Sequence, residues 1–156
     1  MTGSVLTAPV DFAGPGRTLF LAGGIMHCPP WQDEVVAALA DLDVVLLNPR
    51  RAAFPMGDPD GEVEQIDWEH RHLAIASSVL FWFPASDPAL SVQPIALYEL
   101  GWLAHSDRPI AVGVDPAYPR RQDVLLQLSH ARPGLPVHDT LPDTVAAARS
   151  LLTGLG

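Results

Sequence analysis

The chain has 156 residues, 48% of them hydrophobic, which fits one domain with one core. Acidic residues outnumber basic ones 18 to 9, and the net charge of −9 argues against nucleic-acid polymers, whose binding requires a basic surface to neutralise phosphates. Every basic residue is Arg, so the absence of Lys excludes both a Schiff-base lysine and a Walker-type phosphate loop.

No apolar run approaches the about 20 residues of a membrane span. The stretch Met1 to Gly16 has no basic segment followed by an apolar one. The expectation is a soluble cytoplasmic protein with no membrane partner. Lone Cys28 cannot staple the fold and has no activating pattern around it, so it reads as a small packed residue.

In chain order, residues 1–16 are small, Pro- and Gly-containing and unpatterned, and read as a loose leader to a single domain over 17–156. Arg17 to Ala22 reads as a first strand ending in Gly23-Gly24, a pair that lets a ligand or helix approach the backbone closely or simply makes a tight turn. Trp31, Val35, Ala38, Leu39 and Leu42 form a helical stripe. A second strand, Asp43 to Leu47, stops at Asn48-Pro49. Arg50 and Arg51 follow at its carboxyl end, placed either to clamp an anionic ligand group or to lie in solvent.

Residues 52–61 read as a loop long enough to act as a lid. From Glu62 to Ser77 the spacing predicts a helix with Val63, Ile66, His70 and Leu73 on its inner face. His70 and His72 point apart on a helix and do not make a metal site, and no metal or other cofactor is expected. Val79 to Pro84 has the length and apolarity of a buried strand. A loop with Ser86, Asp87 and Ser91 leads into the helix Pro94 to Trp102, which carries a single carboxylate, Glu99, among apolar neighbours. Ligands of open α/β sheets bind where loops leave the carboxyl ends of strands, so this order sets Glu99 beside a cleft; the plainer alternative is a helix-surface glutamate. Arg108 to Val114 reads as a fourth strand, Leu135 to Val137 as a weak edge strand, and Val145 to Leu152 as a final helix after a short one around Val124. Strands alternating with helices predict a three-layer α/β sandwich on a parallel sheet of five strands.

Five motifs carry more than a fold class. Leu21-Ala22-Gly23-Gly24-Ile25, Asn48-Pro49-Arg50-Arg51, Gln65-Ile66-Asp67-Trp68-Glu69, Leu80-Phe81-Trp82-Phe83-Pro84 and Tyr98-Glu99-Leu100-Gly101 resemble, in order, the nucleoside 2-deoxyribosyltransferase-like family. The resemblance implies a flavodoxin-like fold, a homodimer or higher homo-oligomer with sites shared between subunits, and a glutamate that attacks the anomeric carbon of a nucleoside. Glu99, in its Glu-Leu-Gly context, matches that glutamate. The chemistry is coherent, since displacing a base passes through an oxocarbenium-like state that a carboxylate can capture, as in retaining glycosidases.

The chain departs from the family's pattern at two places. Ser78 stands where the transferases carry an aspartate that handles the base, and Gln93 stands where they carry Asp and the nucleotide-hydrolysing relatives Ser. Gln93 can donate to a sugar hydroxyl or a phosphate oxygen, and Glu69 can supply the acid that Ser78 cannot. Trp68, Trp82 and Phe83 are candidates to stack a base, although strand aromatics more often pack. Burial beside Trp82 and Trp102 would raise the pKa of Glu99, so a nearby hydrogen-bond donor is expected, from the Gly23-Gly24 side or from Trp68-Glu69. Trp31 and the apolar Trp102-Leu103-Ala104 segment suggest surface to spare for a subunit interface. The expected substrate is a small nucleoside or nucleotide, with hydrolysis favoured over transfer because Ser78 is a poor base. A non-catalytic nucleotide-binding module is the alternative.

Overall fold

A computed structural model describes residues 3–53 and 57–154 of the chain. Its strands are β1 (Ser4–Thr7), β2 (Thr18–Gly23), β3 (Val45–Asn48), β4 (Ser78–Phe83), β5 (Ile110–Val114) and β6 (Val137–His138). The helices are α1 (Trp31–Ala38), α2 (Pro59–Ile75), α3 (Pro94–Ala104), α4 (Arg121–Ala131) and α5 (Leu141–Thr153). All strand pairs are parallel, and the sheet order is β1-β3-β2-β4-β5-β6. This is a flavodoxin-like sandwich with six strands rather than the expected five. The sixth is β1, which lies within the segment expected to be a loose leader and pairs with β3 from Ser4↔Val45 to Thr7↔Asn48. A stretch of four residues, paired along one side and only half-buried, leaves little trace in hydropathy.

Alternation along the strands divides the core in two. Phe20, Ala22, Val79, Phe81 and Phe83 face the layer of α2, α3 and α4, where they meet Trp68, Ala96 and Leu100. Leu19, Leu21, Leu80 and Trp82 face α1 and α5, where they meet Trp31, Val35 and Val145. Every residue of β4 is buried, as expected of a central strand in a parallel sheet. Trp31 is 2% exposed and donates its indole N–H to Gly24 O at 2.7 Å, so it is a core residue and not the spare surface expected of it.

Helix α2 starts earlier than expected, at Pro59, with the Asp58 carboxylate accepting from Asp60 N–H as its cap. The helix therefore takes over the end of the proposed lid, and Phe54 to Met56 of that lid lie outside the described residues. The inner face of α2 also differs from expectation. Gln65, Trp68, His72 and Leu73 are buried, whereas Val63 and Ile66 are each 59% exposed and His70 is exposed too. Trp68 decides the rotation: its indole stacks on His72 with centroids 4.1 Å apart and donates to Val10 O at 2.8 Å. Among the described residues no helix is long and apolar enough to cross a membrane.

Candidate active site

The strand order reverses between β2 and β4, because β3 lies on one side of β2 and β4 on the other. Outside the carboxyl ends of such strands lies the usual ligand crevice of the fold. A cavity of about 440 Å³ opens there. Its floor is Phe20, Ala22 and Gly23 of β2. One wall is the stripe Glu62, Gln65, Ile66 and Glu69 of α2, at i, i+3, i+4 and i+7. The facing wall is the start of α3, with Gln93, Ile95, Ala96 and Glu99, and the rim carries Met26 and Ser91.

The sequence positions Glu99 simply. Helix α3 opens with Pro94 and buries Ala96, Leu100, Leu103 and Ala104 on the sheet, and Glu99 lies one turn beyond Ala96 at the border of that face. Burial pushes its carboxyl up to about 8 from an ordinary 4.5, and the charge of Glu69 adds to the push. Among the described residues no donor hydrogen-bonds Glu99, so the expected donor from the Gly23-Gly24 or Trp68 side is absent and a second carboxylate faces it instead. Glu69 is itself raised by burial, with the Gln65 hydrogen bond and the Arg51 charge pulling it back down. Gln65, 4% exposed, is the hub of that arrangement. Its Nε2 donates to Glu69 Oε1 at 2.7 Å and to Pro49 O at 2.8 Å, while its Oε1 accepts from Arg51 Nε at 2.6 Å.

The turn after β2 supplies close approach. An ideal Cβ on Gly23, which has φ +146°, would lie 2.0 Å from Trp82 O, and one on Gly24 would lie 2.5 Å from Cys28 Sγ and 2.7 Å from Gln93 Oε1. Only glycine lets this turn lie against β4 and the head of α3. Gln93 is 6% exposed, with φ 55°, and its Nε2 donates to Ser86 Oγ at 3.2 Å and reaches Cys28 Sγ at 3.5 Å. Its Oε1 has no partner, the single such buried side-chain atom among the described residues. Burial pushes the Cys28 thiol up against the smaller pull of Arg50, in keeping with a packed residue.

Several expected site residues are elsewhere. Arg50 donates to Pro29 O at 3.0 Å, Cys28 O at 2.9 Å and Gln32 Oε1 at 3.3 Å, and so ties down the 28–32 turn. Arg51 is committed to Gln65 and to Glu64 at 3.1 Å. Neither lines the cavity. Trp68 is core; Trp82 and Phe83 are 5% and 0% exposed and pack on opposite faces of the sheet, so the wall aromatics expected to stack a base are not cavity residues. Trp102 is 40% exposed and stacks on His70 at 5.2 Å. Ser78 begins β4, opposite Leu19, while Gly23↔Trp82 marks the cavity end; four residues of strand, about 13 Å, separate them. Asp87 is exposed and caps its own loop by accepting from Ala89 N–H at 2.9 Å.

Sequence reasoning missed Glu62, Gln65 and Ile66. The spacing of Glu62 and Gln65 with Glu69 was the available signal, a polar stripe competing with the apolar Val63-Ile66-His70 stripe on the same helix. The described residues contain no group of three or more His, Cys, Asp or Glu able to hold a metal ion.

No curated protein matches the chain. The family model described as nucleoside 2-deoxyribosyltransferase like matches residues 16–118, which run from the start of β2 past the end of β5 and carry every wall of the cavity. With about two thirds of its length under that match, the chain belongs to the nucleoside 2-deoxyribosyltransferase-like family.

Proposed function

We propose that the protein cleaves the N-glycosidic bond of an unphosphorylated nucleoside, with Glu99 as nucleophile and Glu69 as the group that moves the proton. The observation that carries this reading is the convergence of two carboxylates from different helices, both raised by burial, on one cavity at the switch point of the sheet. Attack of the Glu99 carboxylate on C1′ expels the base and leaves a glycosyl ester, and Glu69, oriented by Gln65, serves the departing base and then the acceptor. Glu69 also takes over the duty expected of position 78, because Ser78 lies at the far end of β4. The acceptor is water or a second base, and both use the same ester. The cavity lining, whose one aromatic ring is Phe20 on the floor, gives little stacking surface for a second base and so supports hydrolysis.

Supplying a panel of nucleosides and their monophosphates and measuring free base tests the proposal. Glu99-dependent release from nucleosides, with monophosphates inert, is the expected result. Release from monophosphates alone would contradict it, since the cavity lining holds no Arg.

The same reading includes assembly into a homodimer or higher oligomer. Exposed apolar stripes on α2 (Val63, Ile66) and α3 (Ile95, Tyr98, Trp102), joined by the His70–Trp102 stack, flank the cavity mouth and suit a second copy. Light scattering at micromolar concentration reads this directly. A species of 16.7 kDa would contradict it.

A further inference from the structure

The charged side chains lining the cavity are Glu62, Glu69 and Glu99, with no cation among them. The nearest arginines are spent on backbone carbonyls, Gln32, Gln65 and Glu64. The buried side-chain donors are spent as well: Gln65 Nε2 on Glu69 and Pro49, Gln93 Nε2 on Ser86 and Cys28. What the site leaves unmatched is acceptors: the recessed Glu99 carboxylate, the Glu69 oxygen that Gln65 does not reach, and the orphan Gln93 Oε1, in a residue 94% shielded from solvent. A cavity with this imbalance matches a ligand that brings positive charge and hydrogen-bond donors.

Resting on the N-glycosidase reading above, we infer that the preferred substrates are cationic N-glycosides, nucleosides whose base carries a fixed positive charge at the glycosidic nitrogen or its ring, as in an N-ribosylpyridinium or an N7-alkylated purine nucleoside. The sugar hydroxyls supply the donors. The charged ring lies between Glu69 and Glu99 and holds Glu99 in its ionised form, since an opposite charge at close range favours the carboxylate. With a neutral nucleoside Glu99 would stay largely protonated, roughly one in ten molecules ionised at pH 7 for a group at about 8. The binding event itself thus prepares the nucleophile.

The chemistry balances without an external acid. A Glu99 oxygen bonds to C1′ as the C1′–N bond breaks, and the bonding pair passes to the ring nitrogen and cancels its charge. A pyridine or alkylpurine base leaves neutral, with no proton transferred. Water then attacks C1′ of the ester, its proton passes to Glu69 and on to solvent, and Glu99 leaves as the carboxylate.

The test uses the full-length protein with nicotinamide riboside as cationic probe, inosine and thymidine as neutral probes, and nicotinamide mononucleotide as the phosphorylated control. Base release is followed chromatographically beside the Glu99→Gln variant. The expected kcat/KM for nicotinamide riboside exceeds those of the neutral nucleosides by at least about 100-fold, with the mononucleotide poor. Pyridinium is a good leaving group in its own right, so calorimetry with 1-methylnicotinamide and nicotinamide separates binding from departure. The cation is expected to bind at least about tenfold more tightly. Equal or weaker binding of the cation overturns the inference. If inosine or thymidine is cleaved in a Glu99-dependent way and nicotinamide riboside is not, the inference fails and the N-glycosidase reading stands. Tight cation binding with no cleavage of any probe would overturn both, leaving a cation-binding cavity without the chemistry.

Discussion

Polar side chains gather at both ends of the β2–β4 strand pair and are treated in opposite ways. At the amino end, Thr18 and the two serines satisfy one another. Thr18 N–H donates to Ser77 Oγ at 3.2 Å, Ser77 N–H donates to Thr18 Oγ1 at 2.9 Å, and Ser78 Oγ donates to Thr18 O at 3.4 Å. At the carboxyl end, Glu99 has no donor among the described residues, faces Glu69, and shares its cavity with Gln93, one oxygen of which has no partner. A polar cluster that closes on itself stabilises a fold; one left open carries a cost that a ligand or a proton relieves. On the function proposed above, the contrast gives Ser78 a structural part and Glu99 the chemistry, although each was a candidate on sequence grounds.

The sharpest break of this comparison is Glu99→Gln. It removes the nucleophile, so base release should fall on the order of 10³-fold or more. The variant should nonetheless melt no lower than the parent at pH 8, because a cost has been removed with the charge; a lower melting temperature with retained activity would reverse the assignment. Next in size is Glu69→Gln, expected to lower turnover about 10²-fold by loss of the proton carrier. Removing the Glu69 charge also lowers the pKa of Glu99, so the ionisation that governs kcat/KM should shift to lower pH in this variant. A pH profile that loses height without moving would mean that the two carboxylates do not interact.

The same carboxyl links stability to pH. Raised from 4.5 to about 8 in the folded chain, Glu99 holds a proton that the unfolded chain has released, so its contribution is complete below about 4.5 and is lost as pH rises through about 8. Activity without ligand charge runs the other way, because the nucleophile must be ionised. Glu69, raised by burial and drawn back by Gln65 and Arg51, acts in the same sense. Melting temperature should therefore fall, and neutral-nucleoside turnover rise, across this window, and Glu99→Gln should flatten the first trend. The smallest effect belongs to the other end of the strand pair. Ser78→Ala should leave activity within about twofold and cost about 1 kcal/mol for one lost neutral hydrogen bond. A tenfold loss of activity there would return Ser78 to the site.

Much of the fold was legible because the physics is local. Apolar runs such as Val79 to Phe83 are long enough to specify a buried strand, and Gly23-Gly24 marks a turn wherever it occurs. Glu99 was legible because a lone carboxylate between Ala96 and Leu100 has few reasons to be there. The misreadings depend on partners distant in sequence. Arg50 and Arg51 look like a free anion clamp until Cys28, Pro29 and Gln65 claim them. Trp68 looks like a stacking surface until Val10 and His72 hold it in the core, and that same anchorage turns Val63 and Ile66 outward. Strand β1 is legible only through its pairing with β3. Gln65, which binds Arg51 on one side and Glu69 on the other, has only its i,i+4 spacing to Glu69 as a local signature.

The central claim is a covalent bond between a sugar and Glu99. A 2′-deoxy-2′-fluoro nucleoside destabilises the oxocarbenium-like state and slows release of the ester, so incubation followed by proteolysis and mass spectrometry reads the intermediate directly. The expected result is one fluorosugar mass on the peptide that carries Glu99 and none in Glu99→Gln. An adduct on Glu69, Glu62 or another residue, or steady turnover of the fluorinated probe with no adduct, would contradict the account.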